Sequence, residues 1–365
     1  MTAQNKNDFL VYVGTYTGTG SKGIYIYRLD GSSGDLTLLG TGPYVESPSF
    51  LATDRAHRHL YAANETGEFG GKWGGSVSAF SIAPRTGALT LVNQQPSRGT
   101  SPCHVSVDRT GQWVLVANYG SGHVSLYPVG DDGHLGEATD CIQHEAPDVD
   151  PKAQKAPHAH SITPDPANRF VFAADLGLDR IMIYRLDLDG GKLVPNEQPW
   201  VSVKAGAGPR HFVFHPSLKT AYVINELDNT VIAFAYEEAR GRLTEIQTIS
   251  ALPEGFSGTS YCADVHISPS GAFLYGSNRG HDSLAIFAID QETGKLTGVG
   301  HEPTRGKNPR NFAIDPTGAF LLAANQDTET IVSFGIDGQT GKLRATGHVT
   351  QVPTPVCVTI IPNSL

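Results

Sequence analysis

Short apolar runs that end on a polar residue recur along the whole chain. They read VYVGTY (Val11–Tyr16), LYAANE (Leu60–Glu65), VLVANY (Val114–Tyr119), VFAADL (Val171–Leu176), AYVINE (Ala221–Glu226), LYGSNR (Leu274–Arg279) and LLAANQ (Leu321–Gln326). Their starts lie 49, 54, 57, 50, 53 and 47 residues apart, the range of a four-stranded propeller blade. After each comes a stretch rich in β-branched and aromatic residues: GIYIYRLD, GSVSAFSI, HVSLYPV, RIMIYRLD, TVIAFAY, SLAIFAID and TIVSFGID. These read as partner strands. A turn and a further short strand follow in SGDLT, TGALT, DGHLG, GGKLV, RGRLT, TGKLT and TGKLR. The glycine in these turns fits a hairpin position that needs a positive φ.

Another strand precedes the runs: SPSFLATD, SPCHVSVD, PHAHSITPD, GPRHFVFHP, YCADVHISP and NPRNFAIDP. The first run has no such predecessor, and the missing strand lies at the other end of the chain, in PTPVCVTII (Pro353–Ile361). A C-terminal strand that completes the N-terminal blade closes a ring, which an open solenoid does not require. The pattern therefore predicts an all-β, seven-bladed β-propeller of four-stranded antiparallel blades, one domain over residues 1–365 with its core at about 9–362. A pair of β-sandwiches does not account for seven in-phase repeats.

Composition narrows the function. Among 365 residues, 41 Gly and 23 Pro suit many strands joined by tight turns, and 39% apolar against 17% charged argues against disorder. A net charge of −9 argues against a nucleic-acid partner, which calls for a basic surface. No apolar run approaches the length of a membrane span, and the N-terminus lacks the pattern of a secretory signal, so a cytoplasmic location and no membrane partner are expected. Cys103, Cys141, Cys262 and Cys357 are scattered without metal-binding spacing. They read as reduced thiols, and neither cofactor nor metal is expected. Oligomeric state stays open.

The repeats serve as internal controls, because a residue present in most blades serves the blade. Asn64, Asn118, Asn225, Asn278 and Asn325 end the apolar runs, with Asp175 and Thr15 in their place elsewhere. Local backbone bonding explains such residues. The next position varies, as Glu65, Tyr119, Glu226, Arg279 and Gln326, and unlike charges at equivalent points suit a shared central funnel. Fifteen residues before each strand-ending position stand Ser49, Cys103, His160, Arg210, Ala263 and Arg310, followed by Phe50, His104, Ser161, His211, Asp264 and Asn311. Strand alternation puts His158 and His160 on one side of their strand. Arg210, Arg279 and Arg310 at one mouth favour a small anion, and the same arginines disfavour a divalent metal on His158, His160 and Glu226.

These segments resemble the seven-bladed lactonase family, which includes propeller-type 6-phosphogluconolactonases and fungal 3-carboxy-cis,cis-muconate lactonising enzymes. VYVGTYT, SPCHVSVD, PHAHSITPD, GPRHFVFHP with YVINELDNTV, DVHISPSGAFLYGSNRG and NPRNFAIDPTGAFLLAANQDT carry the likeness from about Val11 to Ile361. The resemblance implies a catalytic His, two Arg and a Glu in the central cleft. By motif these are His158 (with His160 left open), Arg210, Glu226 and Arg279. EFGGKWGG (Glu68–Gly75) is a departure that lengthens one loop at the mouth.

The expected activity is that of a lactone hydrolase, a 6-phosphogluconolactonase taking a small anionic sugar lactone. His158, assisted by Glu226, is expected to act as general base, Arg210 or Arg279 to face the oxyanion, and the other, with Arg310, to hold the anionic group. His160, His104, His211, Asn278, Asn311, Arg310, Glu65 and Asn118 are the expected substrate-binding residues. Cyclisation of a carboxylated muconate and a non-catalytic binding scaffold are the alternatives. No Gly-x-Ser-x-Gly elbow is present.

Overall fold

The recurrent apolar runs are buried on both faces because each is the second strand of a blade packed between two others. A computed structural model describes residues 8–18, 20–145, 156–217 and 220–363, among which there is no α-helix. Among these residues no helix is long and apolar enough to cross a membrane. Seven four-stranded antiparallel sheets form the blades. In six of them the strands run in chain order from the innermost outward. Blade one is the exception: Pro355–Pro362 is innermost, followed by Phe9–Thr15, Tyr25–Leu29 and Leu36–Thr41. The expected closure is present, with Val11 opposite Ile360 and Val13 opposite Val358.

The remaining innermost strands are Pro48–Thr53, Pro102–Val107, Ala159–Pro164, Pro209–Phe214, Tyr261–Ile267 and Pro309–Ile314 in blades two to seven. Each touches the innermost strand of both neighbouring blades, so they complete a circle. Alternation along the second strands explains how the circle is held. Phe9, Val11 and Val13 pack toward blade seven, whereas Leu10 and Tyr12 pack toward blade two. Among the described residues the apolar core consists of seven clusters, each straddling one pair of adjacent blades.

One irregularity governs the centre. The innermost strands slip register against their second strands near the mouth, between Pro48 and Phe50, Pro102 and His104, Ala159 and Ser161, Pro209 and His211, and Pro309 and Asn311. Ser49, Cys103, His160, Arg210 and Arg310 are thus bulged residues. A bulge breaks strict alternation and re-aims the side chain.

Candidate active site

Arg210 shows what the bulge does. Its side chain, 2% exposed, turns to the same side as its neighbour, and its Nη1 lies 3.2 Å from His211 Nε2. Nη1 also donates to the carbonyl of Ala263. The Nε atom makes a 2.9 Å charge contact with Glu226 Oε2, without the alignment of a hydrogen bond. Arg279 Nη2 lies 2.9 Å from the same oxygen and also donates to the Cys262 carbonyl, while its Nε donates to the Tyr261 carbonyl. His160 Nε2 is 4.0 Å from it. Blades four, five and six therefore bring one imidazole and two guanidinium groups to a single carboxylate oxygen. Glu226 reaches it from the end of the second strand of blade five (Thr220–Asn225).

Across the mouth stands a second group from blades seven, one and two. Arg310 Nη2 is 4.0 Å from Glu65 Oε2, which accepts a 2.9 Å hydrogen bond from the Tyr16 hydroxyl. The Arg310 guanidinium lies over the Tyr16 ring at 5.6 Å. Three arginines thus meet two glutamates at the mouth, one more positive charge than negative, within a chain of net charge −9. Burial and the neighbouring Arg279 and Arg310 push Arg210 down to about 10, with Glu226 opposing them. Arg210 remains charged at neutral pH. Burial also lowers Arg310, but Tyr16, Glu65 and Glu226 outweigh it and hold the guanidinium above its ordinary value.

Beside Arg210 lies a cluster of imidazoles. His211 Nδ1 donates to Asp264 Oδ1 at 2.7 Å, and its ring meets those of His104, His160 and Phe50 edge-on at 5.5 to 5.6 Å. His104 stacks on Phe50 and accepts a hydrogen bond from the Ile162 amide. Burial, with Arg210 nearby, brings His211 down to about 4. Burial also holds His104 and His160 well below 6.5, with His211 and Arg210 adding to it. These imidazoles are neutral at physiological pH.

The structure separates the two histidines of PHAHS. His160 faces Glu226, with its Nδ1 3.7 Å from the buried Cys103 Sγ. His158 lies before the bulge, stacked on Tyr119, and donates from Nδ1 to the Tyr119 carbonyl at 2.9 Å. It makes no ion pair with Glu226 among the described residues. Three of the expected substrate contacts are bonded within and between the blades. Asn118 bonds the carbonyls of Ser97 and His123. Asn278 bonds the Ala251 carbonyl and Ser283, and accepts from Cys262 Sγ. Asn311 spans Asp264 and the Val358 amide. Each is buried; the strand-ending Asn118 and Asn278 bond both within their own blade and to the blade before it, whereas Asn311, on an innermost strand, bonds only across blades among the described residues.

Sequence reasoning left Tyr16 and Asp264 without a role, although the signal was there. Tyr16 stands in the phase of Glu65, Glu226 and Arg279, and Asp264 in that of His104 and His211. The inserted EFGGKWGG forms a two-residue hairpin, Glu68–Phe69 with Lys72–Trp73, whose exposed Trp73 meets the edge of His123. Among the described residues no group of three or more His, Cys, Asp and Glu is arranged to hold a metal ion.

A family model described as the seven-bladed β-propeller lactonase matches residues 10–360. The chain belongs to this lactonase family. It is 40% identical over 307 residues to a 6-phosphogluconolactonase of Bacillus subtilis, covering 84% of this chain and 85% of the relative. It is 36% identical over 313 residues to a 6-phosphogluconolactonase of Formosa agariphila, covering 84% and 86%. Among solved structures, a periplasmic gluconolactonase of Pseudomonas aeruginosa superposes with a TM-score of 0.91 at 32% identity, covering 97% of this chain and 99% of that one. In this lactonase-family chain His160, Arg210, Glu226 and Arg279, which break the repeat, converge at the mouth, whereas the repeated Asn118 and Asn278 are tied into the blades.

Proposed function

We propose that the chain is a lactone hydrolase that converts 6-phospho-D-glucono-1,5-lactone to 6-phosphogluconate, as its curated relatives' names describe for them. The observation that carries this reading is the convergence of His160, Arg210 and Arg279 on Glu226 Oε2. Lactone hydrolysis needs a base for water, positive charge at the developing oxyanion, and a proton for the ring oxygen that leaves.

In this reading His160, rather than His158, takes the proton. It is neutral, and its Nδ1 proton rests against Cys103 Sγ, which leaves the Nε2 lone pair toward the cleft. As water adds to the lactone carbonyl, His160 accepts its proton, and Glu226 at 4.0 Å stabilises the imidazolium. Arg279, whose side chain is 15% exposed against 2% for Arg210, faces the oxyanion. Collapse of the intermediate breaks the bond from the carbonyl carbon to the ring oxygen, and His160 returns the proton to that oxygen. Arg210 holds Glu226 in place, and Arg310 takes the anionic group of the substrate. A cytoplasmic location belongs to the same proposal, supported by four cysteines that carry no disulfide.

The test is a lactonase assay on phosphorylated and unphosphorylated gluconolactone with wild type, Arg279→Ala and Arg310→Ala. Arg279→Ala is expected to lower kcat on both substrates by about 100- to 1000-fold. Arg310→Ala is expected to raise KM for the phosphorylated lactone alone. A folded Arg279→Ala protein with near wild-type turnover overturns the assignment.

A further inference from the structure

We propose that Asp264 is a positioning residue that sets the Arg210 guanidinium through His211; its consequence for turnover rests on the lactonase reading above. The argument begins with donors and acceptors. Asp264 Oδ1 accepts the His211 Nδ1 proton at 2.7 Å. The other ring nitrogen of a neutral imidazole then carries a lone pair, and this Nε2 lies 3.2 Å from Arg210 Nη1. Nη1 bears two hydrogens. One goes to the Ala263 carbonyl and the other to His211, so the plane of the guanidinium is fixed, with Nε on Glu226 Oε2.

The opposite tautomer turns an N–H toward Nη1, and two donors then face each other in a buried space. Rotation of the ring does not relieve this, because Phe50, His104 and His160 pack against it. Asp264 is equally constrained. Its Oδ1 also accepts from the Val265 amide, and its Oδ2 accepts from His266 Nε2, Asn311 Nδ2 and the Phe312 amide. Donors from blades five, six and seven thus hold a carboxylate that is 2% exposed. No substrate contact is left to it. It reaches the chemistry through Arg210, whose orientation it sets by the tautomer of His211 and whose charge it also favours.

Asp264→Asn tests this with shape preserved. The amide has one oxygen and one NH2 group. Three donors converge on the Oδ2 position against two on Oδ1, so the oxygen goes to Oδ2 and the NH2 turns to His211, giving up the bond from the Val265 amide. The expected result is a His211 ring protonated on Nε2, read in the free enzyme by 15N NMR, with kcat lower by about 10- to 100-fold and KM little changed. A His211 ring still protonated on Nδ1, or kcat within about twofold of wild type, overturns the proposal.

Should Asp264→Asn fail to fold, His211→Gln and His211→Leu supply the comparison. Gln can accept from Arg210 and donate to Asp264, and Leu can do neither. Retention of kcat within about tenfold by Gln, with a loss of 100-fold or more for Leu, supports the proposal. Equal losses overturn it. The tautomer is read without substrate, so a wild-type protein that hydrolyses neither lactone would sink the functional reading and leave the geometry standing.

Discussion

Glu226 Oε2 has Arg210 Nε and Arg279 Nη2 at 2.9 Å and His160 Nε2 at 4.0 Å, so the properties of this residue and its neighbours set the pH behaviour of the site. His160 is held well below 6.5 by burial first and by Arg210, His211 and Arg310 after it. A general base works unprotonated, and activity falls only as pH drops through its lowered pKa. The profile of kcat/KM is therefore expected to be flat from about pH 6.5 to 8, once spontaneous hydrolysis is subtracted, with its acid limb below that range. An acid limb centred at or above 6.5 argues against His160 as the base. The residue types at the site were legible in the sequence because they break the repeat. The choice between His158 and His160 was not. Alternation put them on one side, and both rings meet Tyr119, but the bulge at His160 gave them different polar partners, the Tyr119 carbonyl for His158 and Glu226 for His160.

Each blade's third and outer strands join in a hairpin whose glycine abuts the blade before it. Gly341 has a φ of +70° and lies against the Phe273 ring, where a Cβ would collide. The neighbouring Tyr275 hydroxyl donates to the carbonyl of the same glycine at 2.9 Å. Blades six and seven are thus pinned at a point where glycine is required twice over, for conformation and for space. Gly341→Ala is expected to destabilise the fold by about 1–3 kcal/mol. Gly338→Ala, at an open position without a positive φ, should lie within about 0.5 kcal/mol of wild type. Urea unfolding midpoints compare the two, and equal midpoints would show that the contact does not hold the blades. The need for positive φ in these turns was read from TGKLR and its six counterparts. The contact with Phe273 was not, because the two residues lie 68 positions apart and meet only when blades stack.

Four ionisable side chains of the hub, His104, His160, His211 and Asp264, are buried in the closed ring. Folding lowers the pKa of all three histidines, His211 to about 4. Between that value and 6.5 the unfolded chain binds more protons than the native one, so stability present above 6.5 is lost as pH falls. Asp264 extends the loss below the carboxylate range: burial raises it, yet His266 and His211 hold it well below its ordinary value. His266 has the opposite sign. Burial lowers it, Asp264 raises it further, and its contribution is present below 6.5 and fades at higher pH. With three imidazoles against one, Tm is expected to decline steadily from pH 7 to pH 4, and His211→Gln to flatten that decline. A Tm constant over the interval in calorimetry would contradict it.

The seven-fold repeat, its strand content and the displaced closing strand were determined by the sequence itself, because alternating burial and hairpin chemistry are local and each copy corroborates the others. The family likeness followed from the same segments. Only the tertiary structure decided which ionisable residues meet. Residues 160, 210, 226 and 279 come from three blades, and their distances depend on ring radius and on bulges that the apolar pattern does not record. Periodicity reports which side of a strand a residue takes; curvature and register slips determine what stands opposite it.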